Sequence, residues 1–415
     1  MKRTTYYLLL ILILAGLLRF IGLNFGFPFL LHPDEPTAVK RALLFFRDGL
    51  NPRWFGMPSL YLYLLHFSYQ LHYAVSTIFE SPALLPHLRP DRLPFYLIGR
   101  IWAALAGTAT VWTVYRIGKQ LYSRKAGLWS AFLLAVLPLH LLHSHYATVD
   151  VPVTFFVTLS FLFSTRILSR RRLADYLAAG VAAGLAAATK YNGIFALLPF
   201  LAAHFLRPRA VCPGSRPRFV LYPLAGLALA GGAFFLASPY ALLELRQLYT
   251  DLGLQSGYLI HYGHGPIFID TEPGALYNLF YLLYYAAGPV FWALSLAGIV
   301  CAFWRRRRAD WLILSFVIPY FILISMPTVK FSRFFIPLLP FLVLWVGRLF
   351  ALRPRRRPEA TALRTIAILC SLWLGLQALA FTSVLALPDI RTQAKAWLEE
   401  NLSRPCRVGL IRTET

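Results

Sequence analysis

Long apolar runs recur along the chain and are separated by short segments that hold most of its charged residues. About 20 consecutive apolar residues cross the roughly 30 Å hydrocarbon core of a bilayer as a helix. Two of the runs are short and are separated by Lys190, which is typical of tilted or broken helices. The pattern predicts an all-α polytopic membrane protein of about eleven transmembrane helices, over 5–23, 94–118, 126–143, 151–168, 174–189, 191–206, 218–237, 276–303, 309–325, 333–350 and 361–385.

Composition agrees with this pattern and changes the meaning of the charge. Hydrophobic residues make up 58% of the 415 residues and charged residues 14%, whereas soluble domains have about 45–50% and about 25%. A net charge of +24 would suggest nucleic acid in a soluble protein. Here the Lys and Arg residues cluster between apolar runs, so we interpret them as topology signals and contacts for anionic lipid, and we predict no nucleic-acid partner. The four cysteines lack metal-ligand spacing.

The positions of the basic clusters predict the orientation. They alternate along the chain in the way the positive-inside rule requires if the N-terminus is cytoplasmic and the first run is a retained span. Residues 58–79 are apolar enough to span, but a span there would place the later basic clusters outside. This Tyr-rich segment is therefore predicted to be a juxtamembrane helix at the outer interface. The long outer segments are then 24–93, 238–275 and 386–415, and the basic clusters 2–3, 116–125, 166–172, 207–218, 305–308 and 348–364 lie inside.

Two neighbouring carboxylates, Asp34 and Glu35, follow the first span within the sequence HPDEP. Ionisable groups at a membrane surface are costly and indicate function. A carboxylate there can act as a general base towards an acceptor hydroxyl or can hold a divalent metal. The structural alternative is capping of the helical stretch 36–48.

A second polar cluster, at 140–150, contains three histidines and an aspartate and is predicted to face the same side. Metal binding is one interpretation, and interfacial or hydrogen-bonding histidines are the other. Asp150 is predicted to be a second acid, with an N-cap role before Pro152 as the alternative. The residues concerned are His140, His143, His145 and Asp150.

Three cations stand out because they lie at the ends of apolar runs away from the basic clusters. Lys190 requires a partner or an anion, and we predict that it binds the phosphate of a lipid-linked donor. The alternative is that it extends its charged end to the membrane surface. Lys330 and Arg333 suit a phosphate, with outer-leaflet head groups as the alternative. The loop 255–270 contains His261, Tyr262 and His264, and is either a flap over a substrate site or an interfacial loop.

Six segments in a fixed order carry a resemblance to a known family. The segments are HPDE, MPSLYLYL at 57–64, GRIWAALAGTATVWTVYRIGKQLY at 99–122, HYATVDVP at 145–152, ATKYNGI at 188–194 and KFSRFFIPLLP at 330–340. Through them the sequence resembles the GT-C superfamily of glycosyltransferases over nearly its whole length, and most closely glycosyltransferase family 39, which includes protein O-mannosyltransferases and lipid A aminoarabinose transferases.

The resemblance implies a GT-C-type helical bundle with juxtamembrane helices in the first outer loop. It also implies an inverting enzyme that transfers sugar from a polyprenyl phosphate to a lipid, glycan or protein acceptor outside the cytoplasmic membrane. Asp34 corresponds to the catalytic or acceptor-orienting acid beside Glu35, Asp150 to the second acid, and Arg333 with Lys330 to the phosphate-binding position. Many members have Lys-Pro-Pro-Leu where this chain has Gly56-Met57-Pro58-Ser59-Leu60, so that lysine contact is absent or moved.

Two further expectations concern organisation and cofactors. We expect a catalytic domain over 1–385 and an outer tail over 386–415, with a helix at 389–401 and a short strand at 407–411, as a remnant or the start of a soluble domain. No cofactor is firmly predicted, and a divalent metal (Mg²⁺ or Mn²⁺) at Asp34, Asp150 and His145 is the alternative.

A transporter or lipid flippase would explain the spans equally well. Transporters, however, often show paired repeats and binding groups near the midplane. The unusual ionisable groups of this chain instead gather at the predicted outer face, and the sequence shows no repeat. The pattern therefore favours a transferase.

Overall fold

The computed structural model describes residues 2–27, 30, 32–78, 93–170, 172–206, 216–262, 268, 271–352, 354 and 356–402. Throughout these residues the chain forms helices joined by turns, with no strand. The helices are α1 (Lys2–Phe20), α2 (Glu35–Asp48), α3 (Leu60–Ile78), α4 (Leu93–Leu121), α5 (Arg124–Val136), α6 (Pro138–His143), α7 (Asp150–Ser169), α8 (Leu173–Thr189), α9 (Leu197–Phe205), α10 (Arg216–Ala237), α11 (Tyr240–Leu243), α12 (Leu245–Gly257), α13 (Gly274–Leu276), α14 (Leu283–Arg305), α15 (Arg308–Ser325), α16 (Leu339–Phe350), α17 (Arg357–Ala386) and α18 (Ile390–Asn401).

Two 3-10 helices carry site residues into the bundle: Tyr191–Ala196 leads into α9, and Ser332–Leu338 leads into α16. Helix α16 is buried on nearly all sides and packs against α5 and α14. Helices α8 and α10 lie against each other through small residues, since a Cβ added to Gly180 would lie 2.0 Å from the carbonyl oxygen of Gly226. Close backbone approach of this kind is how helices associate in membranes.

Eight described helices are long and apolar enough to cross a membrane. The shorter apolar helices Leu173–Thr189 and Tyr191–Phe205 match the two short predicted spans. The all-α, multi-pass architecture is therefore confirmed, while the count of eleven is not. Helix α3 forms where the juxtamembrane helix was predicted and is not among the eight. The eight are Arg3–Phe20, Leu93–Leu121, Asp150–Ser169, Phe219–Ala237, Leu283–Arg305, Arg308–Ser325, Ser332–Phe350 and the segment Arg357–Asn401.

The predicted span 126–143 is broken into α5 and α6 at Leu137. Pro138 has no N–H for the carbonyl of Leu134, so the helix cannot continue with its regular hydrogen bonds. Buried Arg19 supplies donors instead, to the carbonyl oxygens of Leu134 at 3.1 Å and Ala135 at 3.0 Å. The break directs α6 and the polar cluster that follows it towards the site described below.

The two ends of α4 separate two groups of charged contacts. Arg100, near the start of α4, pairs with Glu35. Tyr122 follows the end of α4 and donates to Asp310 at 2.7 Å, and Asp310 also accepts from Arg348 at 2.9 Å. At 1.5 Å per residue the intervening helix is about 30 Å long. The predicted outer and inner segments thus gather at opposite ends of the bundle.

A labelling experiment tests which end faces the cytoplasm. In a background without the native cysteines, we expect Lys40→Cys and Arg307→Cys, both at exposed positions, to react with an impermeant thiol reagent from opposite sides of sealed vesicles. The positive-inside rule places residue 307 in the cytoplasm. Labelling of both residues from one side would contradict the scheme.

Candidate active site

Glu35 is fully buried and forms the most completely bonded ion pair of the first loop. Its Oε1 accepts from Arg100 Nε at 2.8 Å and from the N–H of Ala147 at 2.8 Å, and its Oε2 accepts from Arg100 Nη2 at 2.9 Å. Arg100 also donates to the carbonyls of Leu23 and Phe25. A paired, hydrogen-bonded charge can remain buried. Glu35 therefore joins the first loop to α4 and to the segment before Asp150, and exposes no surface to a substrate.

Asp34, the preceding residue, lies at the surface of the site. Its side chain is 41% exposed and pairs with Arg333, whose side chain is 19% exposed. Asp34 occupies the N-cap position of α2, but its carboxylate makes no capping hydrogen bond. The structure thus places the predicted base beside the predicted phosphate ligand.

Asp150 and Lys190 form a second ion pair, with Lys190 Nζ 2.6 Å from Asp150 Oδ1. Asp150 is buried in the first turn of α7, and its carboxylate engages Lys190 instead of an N-cap backbone N–H. Lys190 ends α8 in an extended conformation, ahead of the 3-10 helix at 191–196. The lysine required a partner, and Asp150 is that partner.

The ring of Phe334 brings the two ion pairs together. Lys190 Nζ lies 5.2 Å and Arg333 Cζ 5.7 Å from its centroid. Arg333 also lies over Phe331, at 4.2 Å. The two acids and two cations of this cluster sum to zero formal charge.

Lys330, three residues before Arg333 in the sequence, has a hydrogen-bond partner of its own. Its Nζ donates to Thr271 Oγ1 at 2.5 Å and lies 5.3 Å from the centroid of Tyr277. Burial lowers the pKa of Lys330 below its ordinary value, and nearby Glu272 opposes that shift. A third cation is therefore available next to Arg333 without an ion-paired carboxylate of its own in the described residues.

Aromatic and imidazole rings form the other wall of the site. His32 lies 4.3 Å from Tyr146, centroid to centroid, and His143 lies 5.4 Å from Tyr146. The N–H of Asp34 donates to His32 Nδ1 at 3.3 Å. Burial lowers the pKa of His32, and the positive charge of Arg333 lowers it further. The carboxylates of Asp34, Glu35 and Asp150 raise this pKa and so offset part of the shift. Burial likewise raises the pKa of Tyr146 to about 12.

The arrangement does not support the metal alternative. His145 is buried with its ring nitrogens 3.0 Å from the carbonyl oxygens of Leu141 and Ile21. Asp34 and Asp150 are each paired with a cation. Across the described ranges, no three His, Cys, Asp or Glu side chains are grouped so as to hold a metal ion.

Two apolar cavities flank the turn at Lys190. One, of about 300 Å³, lies between α3, α4 and α7 and includes Pro152 and Thr189. The other, of about 330 Å³, lies between α8, α9 and α10 and includes Tyr191. The residues on either side of Lys190, Thr189 and Tyr191, therefore line one cavity each. Pro152 in the first cavity is two residues after Asp150.

The predicted substrate loop is described only in part. The backbone of His261 and Tyr262 completes a π-helical turn, Tyr258–Tyr262, and His264 lies outside the described residues. Thr328 Oγ1 donates to the carbonyl of Ile260 at 2.8 Å. This turn therefore meets the segment that leads to Lys330, while the substrate role of the loop stays a prediction.

Sequence reasoning did not identify Arg100 or Tyr146 as members of this region. A signal for Arg100 was present, because a lone arginine inside an apolar span requires a buried partner. Tyr146 gave no comparable signal, since its part in the ring wall depends on packing with residues from the first loop.

Comparisons with known proteins agree with the geometry. Residues 97–241 match the family model described as "Dolichyl-phosphate-mannose-protein mannosyltransferase". No curated protein matches the sequence.

Among solved structures the fold is similar to ArnT from Cupriavidus metallidurans in the apo state, with 15% identity, a TM-score of 0.63, and coverage of 92% of this chain and 76% of ArnT. The structure of ArnT bound to undecaprenyl phosphate gives 16% identity, a TM-score of 0.63, and coverage of 97% and 82%.

An archaeal oligosaccharyltransferase has a similar fold as well. AglB from Archaeoglobus fulgidus, in complex with an inhibitory peptide and a dolichol-phosphate, gives 13% identity and a TM-score of 0.60, with coverage of 96% of this chain and 58% of AglB. An oligosaccharyltransferase from Archaeoglobus fulgidus in a complex with Zn and sulfate is also similar, with 15% identity, a TM-score of 0.59, and coverage of 95% of this chain and 56% of that one. These similarities confirm the predicted GT-C-type fold.

Proposed function

We propose that the protein is a membrane glycosyltransferase that transfers sugar from a polyprenyl phosphate to a lipid, glycan or protein acceptor with inversion. The match of residues 97–241 to a mannosyltransferase family model and the GT-C-type fold support this proposal. The observation that carries the proposal is the half-exposed Asp34–Arg333 pair beside Asp150–Lys190. It joins a candidate base to candidate phosphate ligands at one end of a membrane-spanning bundle.

The reaction assigns one role to each partner of that pair. The acceptor oxygen attacks the anomeric carbon of the donor sugar, and the bond from that carbon to the phosphate oxygen breaks. Asp34 takes the proton of the acceptor hydroxyl, while the polyprenyl phosphate leaves with the bonding electron pair. A positioned base contributes typically about 10²–10⁴-fold to such a step.

In this proposal Arg333 exchanges one anionic partner for another during the reaction. Without substrate it neutralises Asp34. As Asp34 gains a proton, negative charge develops on the leaving phosphate, and the guanidinium is free to pair with that phosphate in the bidentate manner that suits arginine. Preorganised cations at the position of developing charge lower the barrier of a reaction. In this proposal Lys330 and Lys190 contribute further positive charge to the binding of the phosphate.

Glu35 acts as a positioning residue in this scheme. Its carboxylate is enclosed by Arg100 and the N–H of Ala147, and is neither free to hold a metal nor exposed to an acceptor. It fixes the backbone next to Asp34, so the base is held without being buried.

The neighbours of this fold support the choice of donor. ArnT binds undecaprenyl phosphate, and AglB binds a dolichol-phosphate together with a peptide. The apolar cavities beside Lys190 suit a polyprenyl chain whose phosphate reaches the cations. The basic clusters at the opposite end favour a site on the extracytoplasmic face of the cytoplasmic membrane.

The proposal is tested with purified protein and labelled polyprenyl-phosphate mannose, a donor chosen from the description of the matched family model. Transfer of the sugar, or its release with formation of polyprenyl phosphate, is the expected result. Movement of the intact donor across vesicles without cleavage of the sugar–phosphate bond would point to a flippase instead.

Arg333→Ala is expected to weaken donor use strongly and folding little, because it removes a charge partner of the phosphate from a partly exposed position. A hydrogen bond to a charged group contributes about 1.5–3 kcal/mol, which corresponds to a roughly 10- to 150-fold loss in kcat/KM for the donor. Arg333→Lys is expected to retain only part of the kcat/KM for the donor, since an ammonium group cannot make the two parallel hydrogen bonds of a guanidinium to a phosphate. Donor kinetics that match the wild type in both variants would exclude Arg333 as a ligand.

A further inference from the structure

His143 is a buried group whose ring nitrogen the proposed chemistry has not used. The residue is 5% exposed, and its Nδ1 is buried without a hydrogen-bond partner. A buried polar atom left unpaired is costly, and most such atoms in folded proteins have a partner. An unpaired nitrogen inside an active site is therefore a candidate ligand contact.

The position of His143 shows which part of a substrate it would meet. Helix α6 ends at His143, and its ring lies 5.4 Å from Tyr146 and 6.2 Å from His32. It is within electrostatic reach of Asp150, Arg333 and Lys190. His32 in turn interacts with Asp34 and Asp150. The two imidazoles are thus within electrostatic reach of both ion pairs of the site.

The other histidines of the same motif serve different purposes. His140 has its Nδ1 3.0 Å from Arg19, at the break between α5 and α6. His145 has both ring nitrogens against backbone carbonyls. Of the three, His143 is the one that meets both the ring wall and the ion pairs of the site.

We propose that His143 Nδ1 binds a hydroxyl group of the donor sugar. This inference rests on the proposed function, in which the anomeric carbon must lie between Asp34 on the acceptor side and the cations on the phosphate side. The sugar ring is then the part of the donor that comes closest to the rings of His32, His143 and Tyr146. A neutral hydroxyl suits an imidazole nitrogen as donor or acceptor, while the phosphate has three cations for its charge.

Binding measurements with two ligands separate a sugar contact from a structural role. One ligand is polyprenyl-phosphate mannose, and the other is polyprenyl phosphate, which lacks the sugar. His143→Leu removes the ring nitrogen and keeps an apolar side chain, and His143→Asn retains a polar atom close to the position of Nδ1. His72→Leu, on α3 and outside the cluster, is the control.

His143→Leu is expected to weaken binding of polyprenyl-phosphate mannose by about 3- to 10-fold, the effect of one neutral hydrogen bond, and to leave binding of polyprenyl phosphate unchanged. His143→Asn is expected to fall between His143→Leu and the wild type, and His72→Leu to match the wild type.

Equal weakening for both ligands would show a structural role and overturn the inference. Unchanged mannosyl-donor binding combined with a raised KM for the acceptor would assign the contact to an acceptor hydroxyl and overturn it too. If the wild type bound neither ligand, the proposed function itself would fail.

Discussion

Asp34→Asn is expected to lower turnover by about 100- to 10,000-fold while the protein stays folded and inserted. The amide retains the shape of the carboxylate but cannot take the proton of the acceptor. The side chain is 41% exposed and its ion pair lies at the surface of the site, where such pairs contribute about 0–1 kcal/mol to stability. The measurement is donor-dependent turnover, together with thermal unfolding in detergent.

Asp48→Asn is the matched control for this substitution. Asp48 lies at the end of the same helix, α2, and also pairs with an arginine, Arg47. The change removes the same charge from the same element without touching the site, so turnover is expected to match the wild type. Near-normal turnover of Asp34→Asn, or an equal loss in Asp48→Asn, would refute the role of Asp34 as base.

Glu35→Gln is expected to have the reverse profile, with a large loss of stability and a smaller loss of turnover. The substitution leaves Arg100 buried with an uncompensated charge, and breaking a buried pair on one side typically costs about 3–5 kcal/mol. Arg100 keeps its bonds to the carbonyls of Leu23 and Phe25, which limits this cost. Thermal unfolding and activity per folded molecule measure the two effects separately.

Two further variants sharpen this test. Glu359→Gln removes an acid from an exposed pair with Arg356 and is expected to change stability little. Combining Glu35→Gln with Arg100→Gln removes both buried charges, so its cost is expected to be smaller than the sum of the single substitutions. A Glu35→Gln protein as stable as the wild type would contradict the structural role given to this pair.

Local sequence determined where most of the long apolar helices lie. The predicted spans 94–118, 151–168 and 309–325 fall on α4, α7 and α15 within a few residues, because hydrophobic length is a local property of the chain. The same holds for the helix predicted at 36–48, which is α2. The sequence also identified Asp34, Asp150, Lys190 and Arg333 as candidate functional residues, because ionisable groups beside apolar runs are energetically costly.

Tertiary structure alone decided how these charges are paired. Lys190 and Asp150 are 40 residues apart, and Glu35 and Arg100 are 65 apart. Their pairing depends on how α2, α4, α7 and α8 pack, which the apolar periodicity of any one segment does not specify. The same packing buries Glu35 and exposes Asp34, although the two are neighbours in sequence. Consecutive helical residues point in different directions, and only the surrounding helices determine which direction faces the core and which faces the site.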